Sequence, residues 1–416
     1  MRTNVFLVIT SLLLVATSSV TTAQAQQPDP NNEDVRTLVS RLDLTQYKTT
    51  LKGLTQFGDR RQGTERNRQA IDWIEAQLQS VGCTTTERID YIHDPAPRNR
   101  SSGRRSQNPL NVDGPTATGK QIGRNGSGPG GSSIFGYRGA TGVNTDPLKQ
   151  PNERLRELNR EPATNGPRQE VYCTKIGTTN PGEMYIIGAH MDGHGWGEAA
   201  NDDGSGTAIV LELARIFNAP DVQTERSIRF ALWNNEETGL NGSRAYVEQR
   251  AALQGQEVPP GSGNYPEPRW LGMVQHDMML FDHGAPRADG TVSPDQRPEA
   301  DINIEFQSTA ELAAEARALA FFFKATNDAY ATDYPATVGP HMTNTDSTPF
   351  MDLVPAISLR ENERGAHIGA GWDPHWHQPT DLYRTFTDED FRLGLNAAQT
   401  TLAAIVQLVG ARVVNP

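Results

Sequence analysis

The stretch from Tyr185 to Gly206, YIIGAHMDGHGWGEAANDDGSG, decides how this chain is read. Its first five residues are apolar or small, the composition of a strand covered on both faces. His190, Asp192, Asp202 and Asp203 follow in the next loop, and the crevice beyond the carboxyl ends of strands is where open α/β sheets bind ligands. A helical run over 205–217 comes after them. A strand, an acidic loop carrying an imidazole, and a helix make a natural place to hold a metal ion.

The same alternation continues on either side. Helical patterns are expected over 35–54 and 67–81, with Gly82 as a stop, and over 243–249, 310–327 and 388–409. Strands are expected over 170–175, 184–191, 228–233, 271–278, 302–307 and 356–359. The alternation predicts an α/β fold, a mixed, mainly parallel central sheet with helices on both faces, in one catalytic domain. With 416 residues, 36% of them hydrophobic, the chain is long enough for a substantial core.

The first residues have the features of an export signal: Arg2, an apolar run over 5–15, and Ala23-Gln24-Ala25. Residues 1–25 are therefore expected to be a signal peptide cleaved after Ala25, leaving an exported protein, secreted or periplasmic, with no membrane anchor. Cys83 and Cys173 would then mature where disulfides form, and a bond between them is expected. The net charge of −12 excludes an ordinary nucleic-acid partner. That charge is uneven, since residues 95–168 hold 12 basic and 5 acidic residues, a net +7. Their Gly, Ser, Asn, Pro and Arg content predicts a low-complexity basic insertion outside the core, dividing the folded unit into 26–94 and 169–416.

Three more motifs carry chemistry. WNNEETGLNGS, from Trp233, puts Glu236 and Glu237 at the end of an apolar strand, where neighbouring side chains point to opposite sides and can do different work. MVQHDMM ends another strand at Asp277, and DPHWHQPTDLY places His375 and His377 before the last helix. His190, Asp202, Glu237, Asp277 and His377 thus supply two imidazoles and three carboxylates to one sheet edge. That donor set, with no thiolate, suits two zinc ions activating a shared water. Glu236 remains as the general base.

HMD, NDDGSG, EETGLNGS, HDM and HQPTD, in this order, resemble the co-catalytic dizinc exopeptidases that include bacterial leucyl aminopeptidases and glutamate carboxypeptidases. The resemblance covers residues 67–416 apart from the insertion. It implies the zinc exopeptidase (phosphorylase/hydrolase-like) architecture, with one zinc on His190, Asp202 and Asp277 and the other on Asp202, Glu237 and His377. It also selects Asp202 over Asp203 through D-x-x-S-G, and His377 over His375 through its spacing to Asp381. Asp192 takes the place of the carboxylate that orients the ligand histidine, and Asp346 is placed near the site without a catalytic role. His194, His276 and His341 are expected not to be ligands. Relatives often carry a Tyr near the scissile carbonyl, where this chain has Met342 or Trp376.

The resemblance implies an aminopeptidase acting on the N-terminus of a peptide or protein. A carboxypeptidase would need arginines for a terminal carboxylate, and Arg360 and Arg364 are the candidates. A glutaminyl cyclase would share Trp376 but bind one zinc, and a non-catalytic relative would be expected to have lost ligands or the base.

Overall fold

The computed structural model describes residues 27–95, 144, 146–281, 302–361 and 373–414. The signal-like segment and Arg364 lie outside the described residues, as does most of the basic insertion. The helices are α1 (Glu33–Val39), α2 (Leu44–Leu54), α3 (Glu65–Ser80), α4 (Glu153–Asn159), α5 (Gly204–Phe217), α6 (Asn241–Arg250), α7 (Ala313–Tyr330) and α8 (Asp388–Val409). The strands are β1 (Thr86–His93), β2 (Gly166–Lys175), β3 (Asn180–His190), β4 (Val222–Gln223), β5 (Arg226–Trp233), β6 (Arg269–His276), β7 (Ile302–Phe306), β8 (Ala336–Gly339), β9 (Ala356–Arg360) and β10 (Arg412–Val413).

Eight strands form one sheet in the order β1-β2-β5-β3-β6-β9-β7-β8, while β4 and β10 pair separately. The central strands β5, β3, β6 and β9 run parallel; β1, β2 and the β9–β7 pair introduce antiparallel steps. The expected mixed, mainly parallel sheet is present. Strand alternation then divides the core. Val171, Ile187, Phe230, Val274 and Ile357 face one layer with α1, α2, α3, α5, α7 and α8, whereas Tyr172, Ile186, Ala231, Met273 and Ala356 face another with Tyr246 of α6 and Phe350. Helices cover both faces, very unequally.

The single helical pattern expected over 35–54 is two helices. Asp43 interrupts it by capping α2, its side chain accepting from the Gln46 N–H. The α8 start is fixed by a reciprocal capping box between Thr387 and Asp390.

The insertion ends earlier than its composition suggests. Residues 146–168 belong to the fold: Asn152 caps α4, Leu155 is buried, and β2 begins at Gly166. Leu155 and Leu158, three residues apart behind that cap, form a short apolar face whose signal is hidden by surrounding charge. Cys83, after α3, and Cys173, in β2, are joined in a disulfide with Cα atoms 6.2 Å apart. No helix among the described residues is long and apolar enough to cross a membrane.

Candidate metal centre

In the sheet order, β3 leads on to β5 on one side, whereas its neighbour β6 leads on to β7 on the opposite side. The carboxyl ends of β3, β5 and β6 therefore open onto a crevice at a topological switch point. His190 ends β3, Glu236 and Glu237 lie three and four residues past β5, and Asp277 directly follows β6. Asp202 comes from the loop entering α5, and His377 from the loop before α8.

The two oxygens of Asp202 divide between two imidazoles: Oδ1 lies 3.2 Å from His190 Nε2, and Oδ2 lies 3.0 Å from His377 Nε2. His190 Nε2 is also 3.7 Å from Asp277 Oδ1, and His377 Nε2 is 2.8 Å from Glu237 Oε2. The structure thus brings together all five candidate ligands, with Asp202 between two groups. Asp203 joins His190 and Asp277 in a compact cluster as well, but its carboxylate is otherwise committed. It accepts N–H groups from His190 at 3.1 Å, Gly206 at 2.9 Å and Met278 at 3.2 Å, and so caps α5 and ties three elements together.

Asp202 is aimed by its neighbours. Asp381 accepts the N–H of Asn201 at 2.8 Å and that of Asp202 at 3.2 Å, fixing the backbone whose carboxylate faces both histidines. The loop containing His190 is held from beneath by buried Arg60, which donates to the carbonyls of Met191, Glu198 and Ala199. Gly195, at φ +102°, lets that loop touch the one carrying His377; a Cβ there would stand 2.2 Å from the His377 carbonyl carbon. Trp196, Ala199, Asn235, Met278 and His377 all have positive φ, so the surrounding hydrogen bonds hold five non-glycine residues of these loops in a sparsely populated region.

The Asp192 expectation needs correction. The atom facing His190 Nδ1 is the Asp192 main-chain carbonyl, at 3.0 Å, while its carboxylate stands 3.9 Å away. The Asp192 Oδ1 instead accepts the Glu236 N–H at 3.0 Å, so this residue positions Glu236. Arg360 also has a different place from the one the carboxypeptidase alternative requires: it is buried and donates to Asp277 Oδ2 and, at 3.1 Å, to the Asn344 carbonyl. One Asp277 oxygen therefore faces His190 and the other is held by a guanidinium.

The remaining candidates separate cleanly. His276 points across the sheet, its Nε2 lying 2.8 Å from Thr401 Oγ1, and burial pushes it down to about 4. His375 Nδ1 lies 2.9 Å from Thr380 Oγ1. His341 forms an isolated bridge with Gln307 beyond β8, and Met342 is buried in the layer beneath α6. Trp376 stacks on His377 with centroids 3.9 Å apart, and His194 meets His377 edge-on at 5.4 Å. Asp346 is buried and accepts from Ser243; burial pushes it up to about 7.

The electrostatics identify a site with excess acid. Burial raises Asp202, but the two imidazoles outweigh it and hold the carboxylate far below its ordinary range. Burial lowers His377, but Glu237 and Asp202 outweigh it and push it up to about 10. Glu237 is itself pushed up to about 8 by burial. Its Oε1 and the His377 Nδ1 have no hydrogen-bond partner among the described residues. Buried polar atoms ordinarily find partners, and a set of imidazoles and carboxylates at this spacing fits divalent zinc.

Sequence reasoning did not anticipate the supports around this centre. Asn67 and Asn234 exchange side-chain amide hydrogen bonds at 3.0 Å each way, anchoring the loop of Glu236 and Glu237 to α3. Buried Gln150 donates to the carbonyls of Trp196 at 2.8 Å and Pro379 at 2.9 Å, cross-linking the loops of His194 and His377. The doubled Asn of WNNEE was a visible cue for the first; Gln150 lay in a stretch expected to be outside the fold.

A switch-point crevice lined by imidazoles and carboxylates defines a metal-dependent hydrolase of the mixed α/β class. The profile of peptidase family M28 matches residues 172–398, just over half of the sequence, and the chain belongs to that family. It is 44% identical over 82 residues to the probable lipoprotein aminopeptidase LpqL of Mycobacterium tuberculosis, a match covering 20% of this chain and 16% of LpqL. Such matches span less than a fifth of the length of the curated relatives. The fold is shared with the LapA aminopeptidase of Legionella pneumophila, with a TM-score of 0.56 at 16% identity, covering 92% of this chain and 77% of LapA. It is shared also with BSAP, a zinc aminopeptidase from Bacillus subtilis, with a TM-score of 0.53 at 17% identity, covering 88% and 95%.

Proposed function

We propose that this protein is an exported zinc aminopeptidase that removes N-terminal residues from peptides. The observation that carries the reading is the division of the Asp202 carboxylate between His190 and His377, which suits a ligand shared by two ions. His190, Asp202 and Asp277 would hold one zinc, and Asp202, Glu237 and His377 the other. When bound, such a pair lowers the pKa of water and polarises a carbonyl.

The protein supplies the proton path. Glu236, buried and held by Asp192 through its N–H, takes a proton from the attacking water and passes it to the leaving amine. Arg360 keeps Asp277 charged and confines one of its oxygens. Commitment of Arg360 to Asp277 favours an aminopeptidase over a carboxypeptidase, and the two complete ligand triads favour a peptidase over a single-zinc glutaminyl cyclase. Export rests on the signal-like residues 1–25 and agrees with the Cys83–Cys173 disulfide.

The test is hydrolysis of aminoacyl-4-nitroanilides and N-blocked dipeptides, with and without a chelator. Chelator-sensitive release of nitroaniline is expected; activity only on blocked substrates would assign a carboxypeptidase, and chelator-resistant activity would remove the metal from the mechanism. N-terminal sequencing of exported protein should begin at Gln26.

A further inference from the structure

Beside His377 stand donors that have no acceptor among the described residues. Arg61 is half-buried and stacks its guanidinium 4.9 Å from the centre of the Trp196 ring. Trp196 lies 6.3 Å from His194, and His194 lies 5.4 Å from His377, so these rings lead from the candidate metal centre to the cation. The platform is rigid: the Trp196 N–H is held by Asp59 at 3.3 Å, and its carbonyl accepts from Gln150 and Asn159.

No carboxylate among the described residues pairs with Arg61. The nearest acid in sequence, Asp59, is buried in an ion pair of 2.7 Å with Arg66, which also engages Glu161. Glu198 accepts the Tyr383 N–H instead. Burial pushes Arg61 down, and Arg66 adds to that, against a smaller opposing pull from Asp59 than from burial. Two further donors have no hydrogen-bond partner among the described residues: the indole N–H of Trp196, a residue 8% exposed, and the amide of Asn144, 5% exposed, whose backbone N–H binds the His377 carbonyl at 3.1 Å. Desolvating a cation and neighbouring donors without acceptors is costly unless an anion completes them.

We propose that Arg61, backed by Trp196, binds a carboxylate that the substrate carries a few residues beyond the scissile bond. The preferred substrates are then short peptides whose free C-terminus, or an acidic side chain, reaches this rim. The steps of 5.4, 6.3 and 4.9 Å keep His377 and Arg61 within about 17 Å of each other, and extended peptide covers ~3.3–3.6 Å per residue, so no more than about five residues span them. The proposal rests on the aminopeptidase reading and adds the substrate class to it.

The zinc-loaded full chain should be assayed on a series of Leu followed by two to five Gly residues, on the C-terminal amides of that series, on Leu-Gly-Glu amide and on leucyl-4-nitroanilide. In the wild type kcat/KM should be about 10- to 100-fold higher for at least one acid of the series than for its amide, the size of a charged hydrogen bond. Recovery with Leu-Gly-Glu amide would assign the acidic side chain as an equal source of the carboxylate; a failure to recover would assign the C-terminus alone. Arg61→Ala should bring the acid-to-amide ratio near one, and Arg61→Lys should restore part of it. A wild-type ratio near one, or one that Arg61→Ala leaves intact, would overturn the proposal. If the wild type hydrolyses the nitroanilide but shows no such ratio, only the rim assignment fails; if it hydrolyses nothing, the aminopeptidase reading falls and this inference with it.

Discussion

Two buried polar clusters lie near opposite ends of β5, and they meet their charges differently. Toward its beginning, Arg229 is stacked 4.2 Å over Tyr172 and pairs with Glu267, which also accepts from Tyr246 and Trp270. Each of these donors has an acceptor. Beyond its end, Glu237 and His377 keep atoms with no partner among the described residues, and three carboxylates gather around two imidazoles. The first cluster is complete as protein and specifies packing; the second becomes complete only with added positive charge, which is how a binding centre differs from an internal salt bridge.

The largest contrast should come from Glu236→Gln. Loss of the proposed general base should lower kcat by about 10²- to 10⁴-fold while zinc content, read by mass spectrometry or atomic absorption, stays unchanged. Equal loss of metal and rate would make Glu236 a ligand and erase its separate role.

At the other cluster, Glu267→Ala should leave the Arg229 guanidinium buried without its carboxylate. Destabilisation of about 3–5 kcal/mol is expected in urea unfolding, with the zinc affinity of the folded protein retained. A smaller effect than that of Asp72→Ala, a surface ion-pair change at Arg88, would contradict the distinction between the clusters.

Chelation tests the excess-acid side directly. Zinc at 100 times its dissociation constant should stabilise the protein by about 2.7 kcal/mol, an increment that chelator removes. Gln150→Ala, which deletes the amide joining the Trp196 and Pro379 carbonyls, should cost about 1–3 kcal/mol and weaken the zinc associated with His377 more than that associated with His190. Titration calorimetry that finds both steps weakened equally would restrict Gln150 to general packing.

The smallest effect concerns pH. Burial pushes Asp373 up to about 7, while Asn201 and the His375 N–H oppose that rise. A carboxyl raised in the folded state holds its proton longer than in the unfolded chain, so its contribution is fully present below about 3.8 and is lost as pH rises through about 7. Asp373→Asn should therefore gain stability relative to wild type between pH 5 and pH 8 in metal-free protein, measured as urea midpoints. A difference independent of pH would show that Asp373 does not titrate in that window.

The central sheet was legible because its apolar strands end at polar residues of unusual chemistry, and the candidate ligands were legible for the same reason. The place of Arg360 could not be read because its partner is decided by register: Leu359 pairs with His276 across β9 and β6, which sets Arg360 beside Asp277. Asp192 was misread because a two-residue offset from His190 cannot tell a carbonyl contact from a carboxylate contact. Gln150 and Arg60 act on carbonyls of distant loops, and no local pattern encodes such pairings.

The bond between Cys83 and Cys173 has a consequence for the chain's integrity. It closes a loop of 90 residues that contains all of the basic segment left outside the described structure. A protease that cuts once between residues 96 and 143 would yield two fragments still covalently linked, migrating together until a reductant is added. Nature could therefore lengthen, trim or nick that segment while both halves of the sheet stay tethered to each other.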